Sequence, residues 1–117
     1  MKEFLLLLRG GDGRQLQQSP EEWQQHMQRW ADWMGNMAKA GKFVGAQPLS
    51  ANGKMVSGTA KIVSDGPFME GKEMVGGYLI CKVDNYDEAV ALAKGCPILE
   101  FENGAVEIRE IQDMNMR

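Results

Sequence analysis

The sequence predicts an α+β domain in which one sheet is covered by two helices. Three observations support it: the segments follow the order strand, helix, strands, helix, strand; the first helix has a strong start signal; and two strands are apolar on both faces. A chain of 117 residues is long enough for one hydrophobic core, so we predict a single domain over residues 1–117, with a polar tail at 112–117.

The first strand is predicted at Lys2–Arg9, where a phenylalanine is followed by four leucines. The glycine-rich segment 10–13 then favours a loop over continued pairing. Apolar side chains on both faces are typical of a strand that is covered from both sides. We therefore expect this strand to lie at the centre of the sheet.

A long amphipathic helix is predicted after this loop. Ser19 is spaced as an N-cap, Pro20 suits the first helical position, and Glu22 stands where it completes a capping box. Gly41 is placed to end a helix of about twenty residues. Apolar residues recur along it in steps of three and four, at Trp23, Met27, Trp30, Met34 and Met37.

Three shorter strands are predicted between the first helix and the strongly apolar segment 77–83. Segment 43–49 contains Pro48, which suggests an edge strand. Asn52-Gly53 is a two-residue hairpin signal that leads into a strand at 54–56. A further strand is predicted at 60–64.

The last third of the chain is predicted as strand, helix, strand. Segment 77–83 is apolar on both faces, like the first strand. Asn85 and Glu88 are spaced as the cap and third residue of a second helix, which Gly95 and Pro97 end. The final strand is predicted at 105–111.

This order fits a ferredoxin-like βαββαβ sandwich with an added hairpin. Two helices can cover only one face of the sheet, yet the central strands are apolar on both. A second copy of the chain, related by a two-fold axis, is the commonest source of the missing layer. The pattern therefore predicts a homodimer.

Segment 65–73 combines a turn, an aromatic residue and several charges. It contains the tetrapeptide Asp-Gly-Pro-Phe, followed by charges at 70, 72 and 73. Together with the segments that come after it, this stretch resembles the DGPF branch of the YCII-related proteins. The resemblance spans nearly the whole chain. It implies a ferredoxin-like domain that pairs into a dimeric α+β barrel, in a family whose activities are mostly unassigned.

Composition excludes several classes of function. The net charge of −3 comes without a concentrated basic stripe, so we expect no nucleic-acid partner. The apolar run at the start is too short to span a bilayer and lacks the features of a secretory signal, so no membrane partner and a cytoplasmic location are expected. Cys81 and Cys96 are predicted to be inert reduced thiols. No residue pattern indicates a nucleotide, another cofactor or a metal.

His26 and Asp65 are the candidate catalytic residues. His26 is the only histidine and is therefore the default general base, although its place on the apolar side of the helix favours a packed histidine over a ligand-facing one. Asp65 could hold the imidazole in one tautomer, or it could simply cap its own Asp-Gly-Pro turn.

Six further residues are candidate ligand contacts, and each has a structural alternative. Phe68 and Tyr78 could wall an apolar pocket or belong to the core. The charged residues of segment 70–73 could gate a cavity or form a solvated arm, and Arg109 could bind a carboxylate or pair with Glu107. The charged candidates are Glu70, Lys72, Glu73 and Arg109.

The function predicted from these observations is that of a small dimeric protein whose cavity takes a small, anionic or partly apolar ligand. Cofactor-free proton transfer, of the isomerase or lyase type, is the catalytic form of this hypothesis. The alternative is a non-catalytic ligand-binding or regulatory module, because the resemblance extends to proteins associated with transcription regulators.

Overall fold

A computed structural model describes residues 1–10, 19–50, 52–66 and 74–114. Within these residues the chain forms six strands, two α-helices and one 3₁₀ helix. Their order and bounds are β1 (Lys2–Arg9), α1 (Pro20–Lys39), β2 (Phe43–Pro48), β3 (Lys54–Ser57), β4 (Ile62–Asp65), β5 (Val75–Val83), α2 (Tyr86–Ala93), the 3₁₀ helix (Pro97–Glu100) and β6 (Ala105–Glu110).

Four strands form one antiparallel sheet in the order β2-β5-β1-β6, and β3 pairs with β4 in a separate hairpin. Each α-helix connects two strands that are separated by one intervening strand, as in a ferredoxin-like sandwich. The predicted α+β class, the ferredoxin-like order and the added hairpin are confirmed. β1 and β5 are central and β2 is an edge strand, as their sequences predicted.

The hairpin turn predicted at Asn52-Gly53 is wrong. β2 pairs with β5 in the main sheet, and β3 pairs with β4 instead of with β2. The turn of the observed hairpin lies at 58–61, where Gly58 and Lys61 both adopt positive φ and the Lys61 amide donates to the Gly58 carbonyl at 3.1 Å. The Asn52-Gly53 turn signal was therefore outweighed by a second local turn, which brings β3 and β4 together.

α1 begins with the capping box that the sequence predicted. Ser19 Oγ accepts a hydrogen bond from the Glu22 amide at 3.1 Å, and the Ser19 amide donates to Glu22 Oε1 at 3.3 Å. Gly41 follows the helix with a φ of 75°, a conformation that costs glycine little. These local signals set where α1 begins and ends, so the position of each side chain on its faces follows.

The hydrophobic core lies between the helices and one face of the sheet. Its buried members are Phe4, Leu6, Met37, Leu79, Cys81, Val83, Ala89 and Ala93. Alternation along the strands directs Leu5, Leu7 and Ile80 to the opposite face, where they are only half-buried. The described part of the chain measures 48 × 46 × 19 Å, which fits a single helix layer on one sheet.

The β3–β4 hairpin carries a second apolar surface. Val56, Ile62 and Val63 are 66%, 64% and 64% exposed, although such side chains are normally buried. An isolated two-stranded hairpin is marginally stable in water.

Within the described ranges, no helix is long and apolar enough to cross a membrane.

A candidate ligand cavity with a buried histidine

A partly open cavity of about 740 Å³ lies between the first half of α1 and the adjoining ends of β1, β2 and β5. Its described lining residues are Leu8, Trp23, His26, Met27, Trp30, Met34, Ala46, Gln47, Pro48, Leu49, Met74, Gly76, Gly77, Tyr78, Ile98 and Phe101. None of these is Lys, Arg, Asp or Glu. The described part of the wall is therefore apolar and aromatic, with one imidazole and a few polar groups.

His26 belongs to this wall and is only 2% exposed. Three aromatic rings surround it, with centroids at 5.0 Å for Phe101, 5.7 Å for Trp23 and 6.1 Å for Trp30. The two interpretations of His26 are thus not exclusive, because the side chain is packed and also borders the cavity. A buried imidazole needs partners for both ring nitrogens.

Glu100 is the partner of His26 Nδ1. Its Oε1 lies 3.1 Å from Nδ1, and Arg29 donates to the same carboxylate from Nε at 2.5 Å and from Nη2 at 2.7 Å. The hydrogen bond from Arg29 holds the pKa of Glu100 below its ordinary range, with a smaller lowering from His26 and an opposing effect of burial. The carboxylate therefore stays ionised and accepts a hydrogen bond from Nδ1–H.

Trp30 is the partner of the other nitrogen. Its indole Nε1 donates to His26 Nε2 at 2.9 Å, one helical turn away on α1. An indole N–H can only donate, so Nε2 must carry the lone pair. Together the two contacts define a neutral imidazole with its proton on Nδ1 and its basic nitrogen beside the indole.

The 3₁₀ helix that carries Glu100 was not predicted. Pro97 was interpreted as the residue that ends the second helix, whereas α2 already ends at Ala93 and Pro97 begins a new turn. Glu100 is 74 residues from His26, so no local spacing in the sequence connects them. The only available signal was a proline suited to a first helical position.

Asp65 lies on β4, and its carboxylate pairs with Lys54 Nζ at 2.5 Å, with 71% of its side chain exposed. Both nitrogens of His26 are occupied by Glu100 and Trp30, and Asp65 is not among the described residues that line the cavity. In this structure Glu100 occupies the position that was predicted for Asp65. The catalytic role of Asp65 stays a prediction.

Arg109 lies on β6, where Nη1 contacts Glu107 Oε2 at 3.4 Å. Arg9 binds the same carboxylate more closely, from Nη2 at 2.7 Å, and this hydrogen bond is the main cause of the lowered pKa of Glu107. The two arginines thus form an ion-pair cluster on the open face of the sheet. A ligand role for Arg109 stays a prediction.

Tyr78 is one of the described residues that line the cavity. Its neighbours Gly77 and Leu79 lie on the face of the sheet that packs against the helices. Alternation along the strand therefore directs the phenol to the open face of the sheet. The other four predicted ligand contacts, Phe68, Glu70, Lys72 and Glu73, lie outside the described residues.

The two cysteines are buried free thiols. Desolvation raises the pKa of Cys96 to about 12 and also raises the pKa of Cys81. Both thiols are therefore neutral near pH 7, which makes them poor nucleophiles. In the part of the chain that the structure describes, no group of three or more His, Cys, Asp or Glu side chains is placed to hold a metal ion.

Comparisons with known proteins agree with the resemblance at the level of the family. Residues 4–115 match the YCII-related domain. Among solved structures, the chain is similar to 5-chloro-2-hydroxyhydroquinone dehydrochlorinase (TftG) from Burkholderia phenoliruptrix AC1100, in complex with 2,5-dihydroxybenzoquinone. The two are 15% identical over 94% of this chain and 93% of that one, with a TM-score of 0.47. No curated protein matches the sequence.

Proposed function

The chain belongs to the YCII-related domain family, and we propose that it binds a small, neutral, largely apolar molecule in the His26 cavity and transfers a proton there without a cofactor. One observation carries this proposal. The only histidine of the chain lies in the cavity wall with Nδ1 held by an ionised carboxylate, which leaves Nε2 as the basic nitrogen.

The reaction needs three groups in this arrangement. Nε2 removes a proton from a carbon beside a carbonyl, the electron pair of the broken C–H bond forms a carbon–carbon double bond, and the π pair of the carbonyl moves to its oxygen. Glu100 stabilises the imidazolium that forms, as a carboxylate does beside a catalytic histidine. Trp30, released from Nε2, donates its indole N–H to the new oxyanion. The proton then returns from Nε2 to carbon.

The character of the wall supports a neutral ligand. A charged molecule in this cavity would lose its hydration without meeting an oppositely charged side chain among the described lining residues. Of the two ligand types predicted from sequence, the apolar one therefore fits the described wall better than the anionic one.

The proposal can be tested with α-hydroxyacetophenone, a neutral aromatic ketone with exchangeable protons beside its carbonyl. In D₂O, the protein should accelerate loss of the α-proton signal in NMR spectra. His26→Gln should lower this acceleration by about a hundredfold or more, because general-base catalysis commonly contributes that much. Asp32→Asn, an exposed change on the same helix, should leave it unaltered.

Equal rates for the protein and for His26→Gln would remove His26 from the chemistry. Binding of the ketone without any exchange would favour the alternative function, a non-catalytic ligand-binding or regulatory module. The tetrapeptide at 65–68 supports this chain's place in the DGPF branch, where such modules are expected.

We also propose that the chain is a homodimer paired through the open face of its sheet. Four strands about 4.8 Å apart and six to nine residues long present roughly 400–600 Å². A stable interface buries about 800 Å² per partner, so the face alone is too small. The exposed apolar side chains of the β3–β4 hairpin are a further surface that a second copy could cover.

A further inference from the structure

The contact between Trp30 and His26 constrains the chemistry of the ligand. The indole Nε1 and the imidazole Nε2 are 2.9 Å apart, and both residues line the cavity. One group is a donor and the other an acceptor. A molecule that reaches this point must either leave their hydrogen bond intact or replace it for both groups.

A hydroxyl group is suited to replace it. Its oxygen can accept the hydrogen bond from Trp30, and its own proton can be donated to Nε2. An ether can satisfy the indole, but it would leave Nε2 as a buried acceptor without a donor, because His26 is 2% exposed. Leaving such a group unpaired costs about 1–3 kcal/mol, which corresponds to about a fivefold to a hundredfold loss of affinity.

Anionic groups fit this position poorly. A carboxylate has no proton to donate to Nε2, and the ionised Glu100 lies on the other side of the imidazole, 3.1 Å from Nδ1. Arg29 already binds Glu100 and is not one of the described lining residues. A neutral hydroxyl therefore has the better match to both the donor and the acceptor.

The ring carrying this hydroxyl would contact aromatic side chains. Trp23 and Phe101 flank His26 and also line the cavity, with ring centroids 5.7 Å and 5.0 Å from the imidazole. Offset or edge contacts between aromatic rings are favourable beyond the area they bury. A flat aromatic ring attached to the hydroxyl would pack against Trp23 and Phe101.

We propose that the cavity is selective for neutral aromatic hydroxyl compounds, of which phenol is the simplest, and that their O–H inserts between Trp30 Nε1 and His26 Nε2. This inference rests on the proposed ligand cavity and deepens it by naming the class of ligand. It assigns Trp30 as a specificity-determining residue that occupies the acceptor of His26 until a hydroxyl replaces it.

The test compares phenol with anisole, its methyl ether, and with benzoate. Tag-free protein has one histidine and three tryptophans, so the imidazole ¹⁵N and indole N–H signals are few. Phenol should shift the Trp30 indole and His26 Nε2 signals, while Nδ1 stays protonated. Trp33 is the internal control, because its indole donates to the Leu92 carbonyl at 3.0 Å and is not a described lining residue.

The expected result is that anisole and benzoate bind about tenfold or more weakly than phenol. His26→Phe keeps an aromatic ring between Trp23 and Phe101, and it should bring the affinities of phenol and anisole together. Retention of the wild-type preference by a folded His26→Phe protein would overturn the inference.

The outcomes also separate this inference from the proposed function. Equal affinities of phenol and anisole in the wild-type protein, with unchanged His26 signals and a shifted Trp23 indole, would overturn the hydroxyl selectivity alone. Tightest binding of benzoate would overturn the selectivity for neutral ligands as well. Absence of any shift at Trp23 and Trp30 up to the solubility of all three probes would overturn both the inference and the cavity's proposed role.

Discussion

His26 shows how the chemistry of one residue depends on distant parts of the chain. Two residues of the same helix shape its surroundings. Trp30 donates its indole N–H to His26, and Arg29 binds the carboxylate that contacts His26. The carboxylate comes from Glu100, near the other end of the sequence. Sequence reasoning singled out the histidine, because it is unique, and predicted Asp65 as its supporting carboxylate, whereas the carboxylate in contact with it belongs to Glu100.

Replacement of Glu100 by Gln should make the stability difference from wild type depend on pH. Arg29 lowers the pKa of Glu100 in the folded protein, so folding favours the ionised carboxylate. This contribution is present above about pH 4.3, the ordinary pKa of glutamate, and is lost as the pH falls through the lower folded value. About a third of the side chain is exposed, which limits the contribution to about 1 kcal/mol.

Urea unfolding of both proteins between about pH 7 and about pH 3 measures this difference. Wild type should be more stable near neutrality, and the gap should close on acidification. A gap that stays constant, or widens, as the pH falls would contradict the assignment of Glu100 as an ionised partner of Arg29.

At the scale of the element, the 3₁₀ helix sets the position of Glu100. Pro97 begins this helix and is buried. The loop that follows the helix brings Gly104 directly against the Ile98 carbonyl. A Cβ at Gly104 would overlap that backbone oxygen and could not be accommodated by a side-chain rotation. The loop and the helix are thus packed together at their backbones.

Gly104→Ala and Gly35→Ala should therefore have opposite effects on stability. The first should destabilise the fold by about 2 kcal/mol or more and disturb the Glu100 contact with His26, because backbone must move. The second adds a Cβ within α1 where no atom lies within 4 Å, so it should stabilise by about 0.5–1 kcal/mol.

Chemical denaturation measures both changes in the free energy of unfolding. The imidazole ¹⁵N signals of His26 report whether Gly104→Ala displaces Glu100, and Gly35→Ala should leave them unchanged. A fully stable Gly104→Ala protein would show that the close approach to Ile98 is not required by the fold.

At the scale of the whole molecule, the described residues cover the sheet on one side only. Leu5, Leu7 and Ile80 form an apolar strip on the open face, beside the ion pairs of Arg9 and Glu107. Polar groups around an apolar surface are typical of protein interfaces. This arrangement supports pairing of two copies through their sheets.

Leu5→Asp should convert the proposed dimer into a folded monomer. Leu5 lies opposite Arg109 in the register of β1 and β6, so the new carboxylate has a local partner when the sheet is exposed. In a dimer it would be buried against apolar side chains at a large cost. Val90→Asp, on α2 where Val90 is 39% exposed, is the matched control and should stay dimeric.

Sedimentation equilibrium or light scattering after size exclusion gives the mass of each protein. Wild type and Val90→Asp should have twice the mass of one chain, and Leu5→Asp should have that of one. A monomeric wild-type protein at micromolar concentration, or an unchanged mass for Leu5→Asp, would refute pairing through this face.

The sequence by itself determined the two α-helices, the strands of the main sheet and their ferredoxin-like order. Capping at Ser19 and Asn85, the apolar faces of β1 and β5, and the edge-strand proline are local signals that act within a few residues, and all of them appear in the structure. Only tertiary structure decided the turn of the hairpin and the partner of His26. The hairpin turn depends on which of two nearby turn segments joins a pair of strands, and the partner of His26 lies 74 residues away in the chain, so neither follows from a signal of a few residues.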